Sequence, residues 1–242
     1  MNPVVVVLIY STMTALATGL GALPFLFVNT MSTRAVSYAN ALAAGLMMGA
    51  SFGLVAEGTG YGASQTVAGG VLGVLFILAT QRWLGNHEVE FGGLRGAGAR
   101  QMALMIVVMT VHSFSEGVAV GVSFGGGTAL AAVITIAIAV HNIPEGLAIS
   151  AVMRPRGQSV LKCAGWSIFS SLPQPLMAVP AFLLVETVRP VLPYGLGFAA
   201  GAMVFMVLVE LLPEAYDQGP RPVVGALASG SIIGMVLFQH YL

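Results

Sequence analysis

Charge is what this sequence has least of. Among 242 residues, nine are Lys or Arg and nine are Asp or Glu, 7% in all, against roughly 25% in an ordinary soluble domain. So few charges cannot clothe a chain of this size in water. That excludes a cytosolic globular protein, a nucleic-acid binder working through a basic patch, and a disordered tail. Cysteine is nearly absent too. Cys163 stands alone, so there is no intramolecular disulfide framework and no Cys-rich metal cage. Histidine occurs four times, too seldom for a His-rich di-iron oxygenase. The formal net charge is zero, and the placement of the few charges says more than their sum.

What is abundant is apolar sequence, 57% of the residues. A bilayer core about 30 Å thick needs roughly 20 apolar residues per helical crossing, and the charges cut the chain into pieces of about that length. Residues 1–33, 35–56, 58–81, 163–185, 190–209 and 222–242 contain no Asp, Glu, Lys or Arg. Residues 101–153 are too long for one crossing, and Gly125-Gly126-Gly127 divides them into halves holding one glutamate each. The expectation is an all-α polytopic membrane protein, a single transmembrane domain over 1–242. Its eight spans lie near 4–27, 36–57, 66–84, 101–123, 128–152, 161–185, 194–214 and 222–241. The first has no basic residue before Val4 and outruns a signal-peptide core, so it reads as a retained span.

Basic residues orient the bundle. The connections after the odd-numbered spans carry Arg34; Arg82, Arg95 and Arg100; Arg154, Arg156 and Lys162; and Arg221, while the other face carries Arg189 alone. By the positive-inside bias the rich face is cytoplasmic and both termini lie outside. A bacterial-type inner or plasma membrane is the expected location.

A repeat sits inside this pattern. Val111-His112-Ser113-Phe114-Ser115-Glu116-Gly117-Val118-Ala119 returns 29 residues later as Val140-His141-Asn142-Ile143-Pro144-Glu145-Gly146-Leu147-Ala148. A fainter echo joins residues 43–47 to 199–203. The related spans run in opposite directions, which makes an inverted-repeat helix bundle of the kind found in transporters, with binding where the repeats meet. Small residues at helical spacing (Gly45, Gly49, Gly53; Gly117, Gly121, Gly125; Gly230, Gly234) read as packing stripes.

His112 is 12 residues in from Arg100 and His141 is 13 in from Thr128, about 18–20 Å along a helix and so near the middle of the bilayer. Each is followed four positions later by a glutamate, on the same helix face. Facing each other, the two spans bring His112, Glu116, His141 and Glu145 together, a shell for Zn²⁺ or another divalent first-row metal. An ionisable residue at that depth costs about 2.5–3.5 kcal/mol; helix-bridging polar residues and a metal-free proton relay are the other readings of the four. Pro144 removes an N–H and frees the Val140 carbonyl. Pro173 and Pro175 flank Gln174 and open the sixth span at the same depth. Glu210 follows an apolar stretch at the cytoplasmic end of the seventh span and is a candidate guard of the inner exit; Glu57 ends the second span outside. His87, Glu88 and Glu90 form a loop cluster, read either as metal-collecting or as plain solvated charge.

At these motifs the sequence resembles the ZIP (Zrt/Irt-like) family of metal transporters, in its GufA/ZupT-like branch. The resemblance covers the whole chain and rests above all on His141-Asn142-Ile143-Pro144-Glu145-Gly146. It implies transport of divalent zinc, with iron, manganese, cobalt or cadmium as further cargo, toward the cytosol. It also implies His112, Glu116, His141 and Glu145 as the main site, Met47 beside it and Asn142 toward a second metal. Two positions depart from the family pattern: Ser113 replaces an asparagine, and Gln174 replaces a glutamate before Pro175. Both weaken the shell of a second metal, so a single-metal transporter is expected. The metal is cargo rather than cofactor, no catalytic residue is expected, and the partners are metal ions, the lipid bilayer and at most a second copy of the chain as a homodimer. The alternatives are an intramembrane metal-dependent enzyme and a metal sensor without flux. A zinc protease would need His-Glu-x-x-His, which is missing.

Overall fold

The computed structural model describes residues 2–85 and 97–241. Among them helices are the only regular secondary structure, with no strand. Helix α1 (Pro3–Leu20) starts where Asn2 caps it, its side chain accepting the Val4 N–H at 2.9 Å, with Pro3 preset for the first turn. A 3₁₀ turn at Leu23–Leu26 ends the first apolar run, so α1 stops some residues short of the expected 27.

Helix α2 (Thr33–Gly85) carries the second and third expected spans as one element. The sequence suggests a connection over 58–65; the backbone leaves helical geometry only at Gly62, which is extended at φ 172° and ψ 106°. With neither proline nor charge between Gly58 and Gln65, helix continues on both sides of that residue. A straight helix would set positions 58 and 66 about 12 Å apart. Instead a methyl group on Gly58 would stand 2.8 Å from Thr66 Oγ1, so the chain doubles back at Gly62.

The paired motifs lie on α3 (Ala97–Ser123) and α4 (Thr128–Met153). They are joined as the triple glycine suggests, through a 3₁₀ turn at Phe124–Gly126 and Gly127 at φ +112°. The sixth span is two helices, α5 (Val160–Ser171) and α6 (Pro173–Thr187), parted at Leu172. Pro173 and Pro175 supply no N–H to the preceding turn, and that opens the backbone there. Helix α7 (Leu192–Met206) runs through a π turn (Val207–Leu211) into α8 (Leu212–Gln218), and α9 (Arg221–Tyr241) follows.

Contacts between connections fix the two ends of the bundle. The Arg154 guanidinium donates to Asn29 Oδ1 at 2.7 Å, and Ser37 Oγ donates to the Ala215 carbonyl. At the far end of α4, Arg189 donates to the Gly125 carbonyl at 2.8 Å. Arg34, Arg154, Arg156, Lys162 and Arg221 thus share one end. Arg189 belongs to the other, where α1 begins and α9 finishes.

Glycines set how closely the helices approach. A side chain on Gly45, Gly49 or Gly53 would collide with Ala228, Met235 or Gln239 of α9, and one on Gly146 with the Thr18 carbonyl of α1. Gly230 and Gly234 meet nothing within 4 Å, so their stripe does no packing inside this chain. One apolar cluster reaches from Val7 through Leu54, Ile138, Phe182 and Met203 to Met235. The outer surface is apolar as well: Leu16, Val67, Leu72, Leu176 and Ile233 are among many exposed large hydrophobics. Among the described residues six helical segments are long and apolar enough to cross a membrane, Thr33–Thr80 being 48 residues long. That is about 72 Å of helix, more than twice a bilayer core.

Candidate metal site

With lipid-facing surface outside, the polar residues are found inside. His112, Glu116, His141, Asn142, Glu145 and Gln174 are all buried, none more than 3% exposed. His112 and Glu116 share a face of α3, one turn apart, and His141 and Glu145 a face of α4. The hub is Glu116. Its Oε1 lies 2.5 Å from His141 Nε2 and 3.5 Å from His112 Nε2. Glu145 Oε1 lies 3.0 Å from His112 Nε2 on the other side. Ligand atoms of His112, Glu116 and Glu145 all fall within 4.8 Å of one another.

Satisfied and unsatisfied atoms stand side by side at this centre: Glu116 Oε1 and His141 Nε2 are hydrogen-bonded to each other, while other donor atoms of the cluster have no partner. A buried bridge should leave few polar atoms without partners, since each orphan costs about 1–3 kcal/mol. Here both ring nitrogens of His112, Nδ1 of His141, Oδ1 of Asn142 and Oε1 of Glu145 have no hydrogen-bond partner. The close approach of His112 to Glu145 is badly angled for a hydrogen bond, yet it points two donor atoms at one space. Imidazole nitrogen and carboxylate oxygen each bind zinc at about 2.0–2.2 Å, so a small spreading of this 3.0 Å pair would let both reach one ion.

A chain of amides braces Glu116 from behind. Gln174 Nε2 donates to Glu116 Oε2 at 2.6 Å. Asn142 Nδ2 donates to Gln174 Oε1 at 3.2 Å and to the backbone carbonyl of Thr14 at 2.8 Å. Gly117 makes this possible: a side chain there would press on the Gln174 backbone, its Cβ 2.8 Å from Gln174 Cα. Sequence reasoning placed Gln174 at the right depth and missed Thr14, which contributes a main-chain atom and so leaves no mark in residue identity.

The remaining candidates lie around this centre. Met47 is fully buried in the central apolar cluster. Ser113 is buried next to His112 but makes none of the contacts that join the cluster. Glu210 sits half-buried in the π turn. Glu57 borders a cavity of about 560 Å³ with Leu130 and Ile134 of α4 and Gln239 and His240 of α9. His87, Glu88 and Glu90 fall outside the described residues.

A profile of the family described as ZIP Zinc transporter matches residues 86–238, which takes in both motifs, Gln174 and Glu210. The chain is 33% identical to the zinc transporter GufA of Myxococcus xanthus, covering 95% of this chain and 96% of that protein. The chain belongs to the ZIP family. ZIP relatives of other lengths match as well. The zinc transporter ZupT of Chlorobium limicola is 32% identical over 91% of this chain and 90% of its own. A candidate zinc transporter of Arabidopsis thaliana, At3g08650, is 45% identical over 97% of this chain, which spans only 39% of that protein. Family membership agrees with the apolar exterior in making this ZIP chain a multi-pass membrane protein, with divalent metal as substrate.

Proposed function

We propose that this ZIP protein carries a divalent metal ion, zinc foremost, across the membrane toward the cytoplasm, with His112, Glu116, His141 and Glu145 as the ligands of the transported ion. The observation that carries this reading is the convergence of unpartnered donor atoms from α3 and α4 in a buried centre. Two imidazoles and two carboxylates match zinc and its first-row neighbours better than magnesium or calcium, which prefer oxygen alone. The amide oxygen of Asn142, left unpartnered, is a further oxygen for the ion to meet, and Glu210 lies on its way toward the Arg-rich end. Met47 and Ser113 form the wall around the centre.

Eight crossings with both termini outside is the topology that goes with this function. The fold-back at Gly62 makes two crossings of α2, and α5 with α6 makes one broken crossing. The concentration of arginine at one end supports a cytoplasmic assignment for that end.

The test is flux. Full-length protein in liposomes loaded with a zinc-sensing dye should admit zinc without consuming any substrate, which separates transport from both an intramembrane enzyme and a sensor. His141→Ala and Glu145→Ala should each lower the rate by on the order of 100-fold, since even loss of a residue behind a metal ligand costs 10–100-fold. Wild-type rates from either variant, inserted and folded, would remove this site from consideration.

A further inference from the structure

We infer that Gln174 is a positioning residue that ties up one oxygen of Glu116, so that the site takes a single cation and Glu116 binds it through Oε1 alone. This rests on the ligand set proposed above. The orientation of the amides follows from chemistry rather than choice. A backbone carbonyl can only accept, so the group Asn142 presents to Thr14 must be its NH₂. That same NH₂ reaches Gln174, which must therefore turn its oxygen to Asn142 and its own NH₂ to Glu116. The Gln174 oxygen is thereby spent and is no metal ligand.

The consequence lies at Glu116. Its Oε2 accepts from Gln174 at 2.6 Å; its Oε1 faces His112 and is hydrogen-bonded to His141 Nε2 at 2.5 Å, a contact between two of the proposed ligands that a shared ion replaces, whereas the Gln174 contact stays. A cation approaching Oε2 would meet the positive end of an N–H dipole instead of a lone pair. A carboxylate held by one oxygen suits a small, four-coordinate ion. Larger ions gain much of their affinity from carboxylates that close on them with both oxygens. Gln174 thus sets how many ions the centre holds and how Glu116 grips them. Gln174 is fully buried, and Gly117 lets its stretch of α6 close directly onto α3, so the tether has little freedom to swing aside.

The experiment counts metal on purified full-length protein with zinc alone as the probe, and records the visible spectrum with cobalt in its place. Wild type should hold a single zinc that His141→Ala abolishes, and its cobalt spectrum should have the intense bands of four-coordination. Gln174→Glu sets two carboxylates against each other, a pair stable only with a cation or proton between them, and should bind a second zinc. Gln174→Leu keeps the volume and removes the donor. It should retain the single zinc but lose several-fold in cobalt band intensity, as Glu116 closes on the ion with both oxygens. A purely packing role for Gln174 would leave that spectrum unchanged. Two zinc ions in wild type, or an unchanged cobalt spectrum in Gln174→Leu, would overturn the inference while leaving the ligand set intact. Zinc retained in full by His141→Ala would overturn the ligand set and the inference with it.

Discussion

Each of the four proposed ligands must be free of its proton to hold a metal, so affinity should climb with pH. The sign follows from competition: an imidazole that carries a second proton has no lone pair to give a metal, and a protonated carboxyl binds one poorly. Zinc affinity measured by competition with a chelating dye should be weaker at about pH 5.5 than at about pH 7.5. Equal affinity would count against ligation by His112 and His141. Glu145 offers a finer test. Its Oε1 has no hydrogen-bond partner and lies 3.0 Å from His112, so Glu145→Gln should cost zinc affinity while leaving insertion and thermal stability nearly unchanged. These residues were legible in the sequence because ionisable groups in apolar spans are conspicuous and a four-residue step puts them on one helix face. The work done by Gln174 was not legible. Its depth could be counted along the span, but the direction of its amide depends on a carbonyl of Thr14, more than a hundred positions away, and periodicity carries no information about that.

Helix limits followed the punctuation of the sequence where it was strong. The triple glycine after Phe124 and the two prolines around Gln174 both became real interruptions. Punctuation misled at residues 58–65, where three glycines suggested a loop and the chain needed only one non-helical residue, Gly62, to turn back. Small-residue stripes were equally ambiguous, because spacing cannot tell which side of a helix has a neighbour. Position 146 on α4 abuts the α1 backbone, whereas position 230 on α9 has open space beside it. Gly146→Ala should therefore destabilise the detergent-solubilised protein by about 1–3 kcal/mol, the usual cost of overpacking a close contact. Gly230→Ala should stay within about 0.5 kcal/mol of wild type. Thermal unfolding of the two variants side by side checks both, and an equal response would mean that the α1–α4 contact is not as tight as described.

Seen whole, the molecule has a basic end and an end with a lone arginine. The Arg154–Asn29 and Ser37–Ala215 contacts gather the basic connections together. In a background lacking Cys163, cysteines placed at Ser32 and Gln158 should react with an impermeant thiol reagent from the cytoplasmic side alone, and one at Val188 from the outside alone. Labelling of Ser32 and Val188 positions from the same side would reverse or break the proposed topology. The tether between Glu116 and Gln174 also bears on the order in which the protein comes into being. Synthesis proceeds from the first residue, so α3 leaves the ribosome with His112 and Glu116 before anything exists to receive them. His141 follows Glu116 by 25 residues and Gln174 by 58. For that interval an acidic side chain has no partner from α4 or α6, at an energetic penalty of about 2.5–3.5 kcal/mol if it enters lipid alone. The membrane-insertion machinery should therefore retain α3 until α4 and α6 have been made, and release the helices into the bilayer as a group.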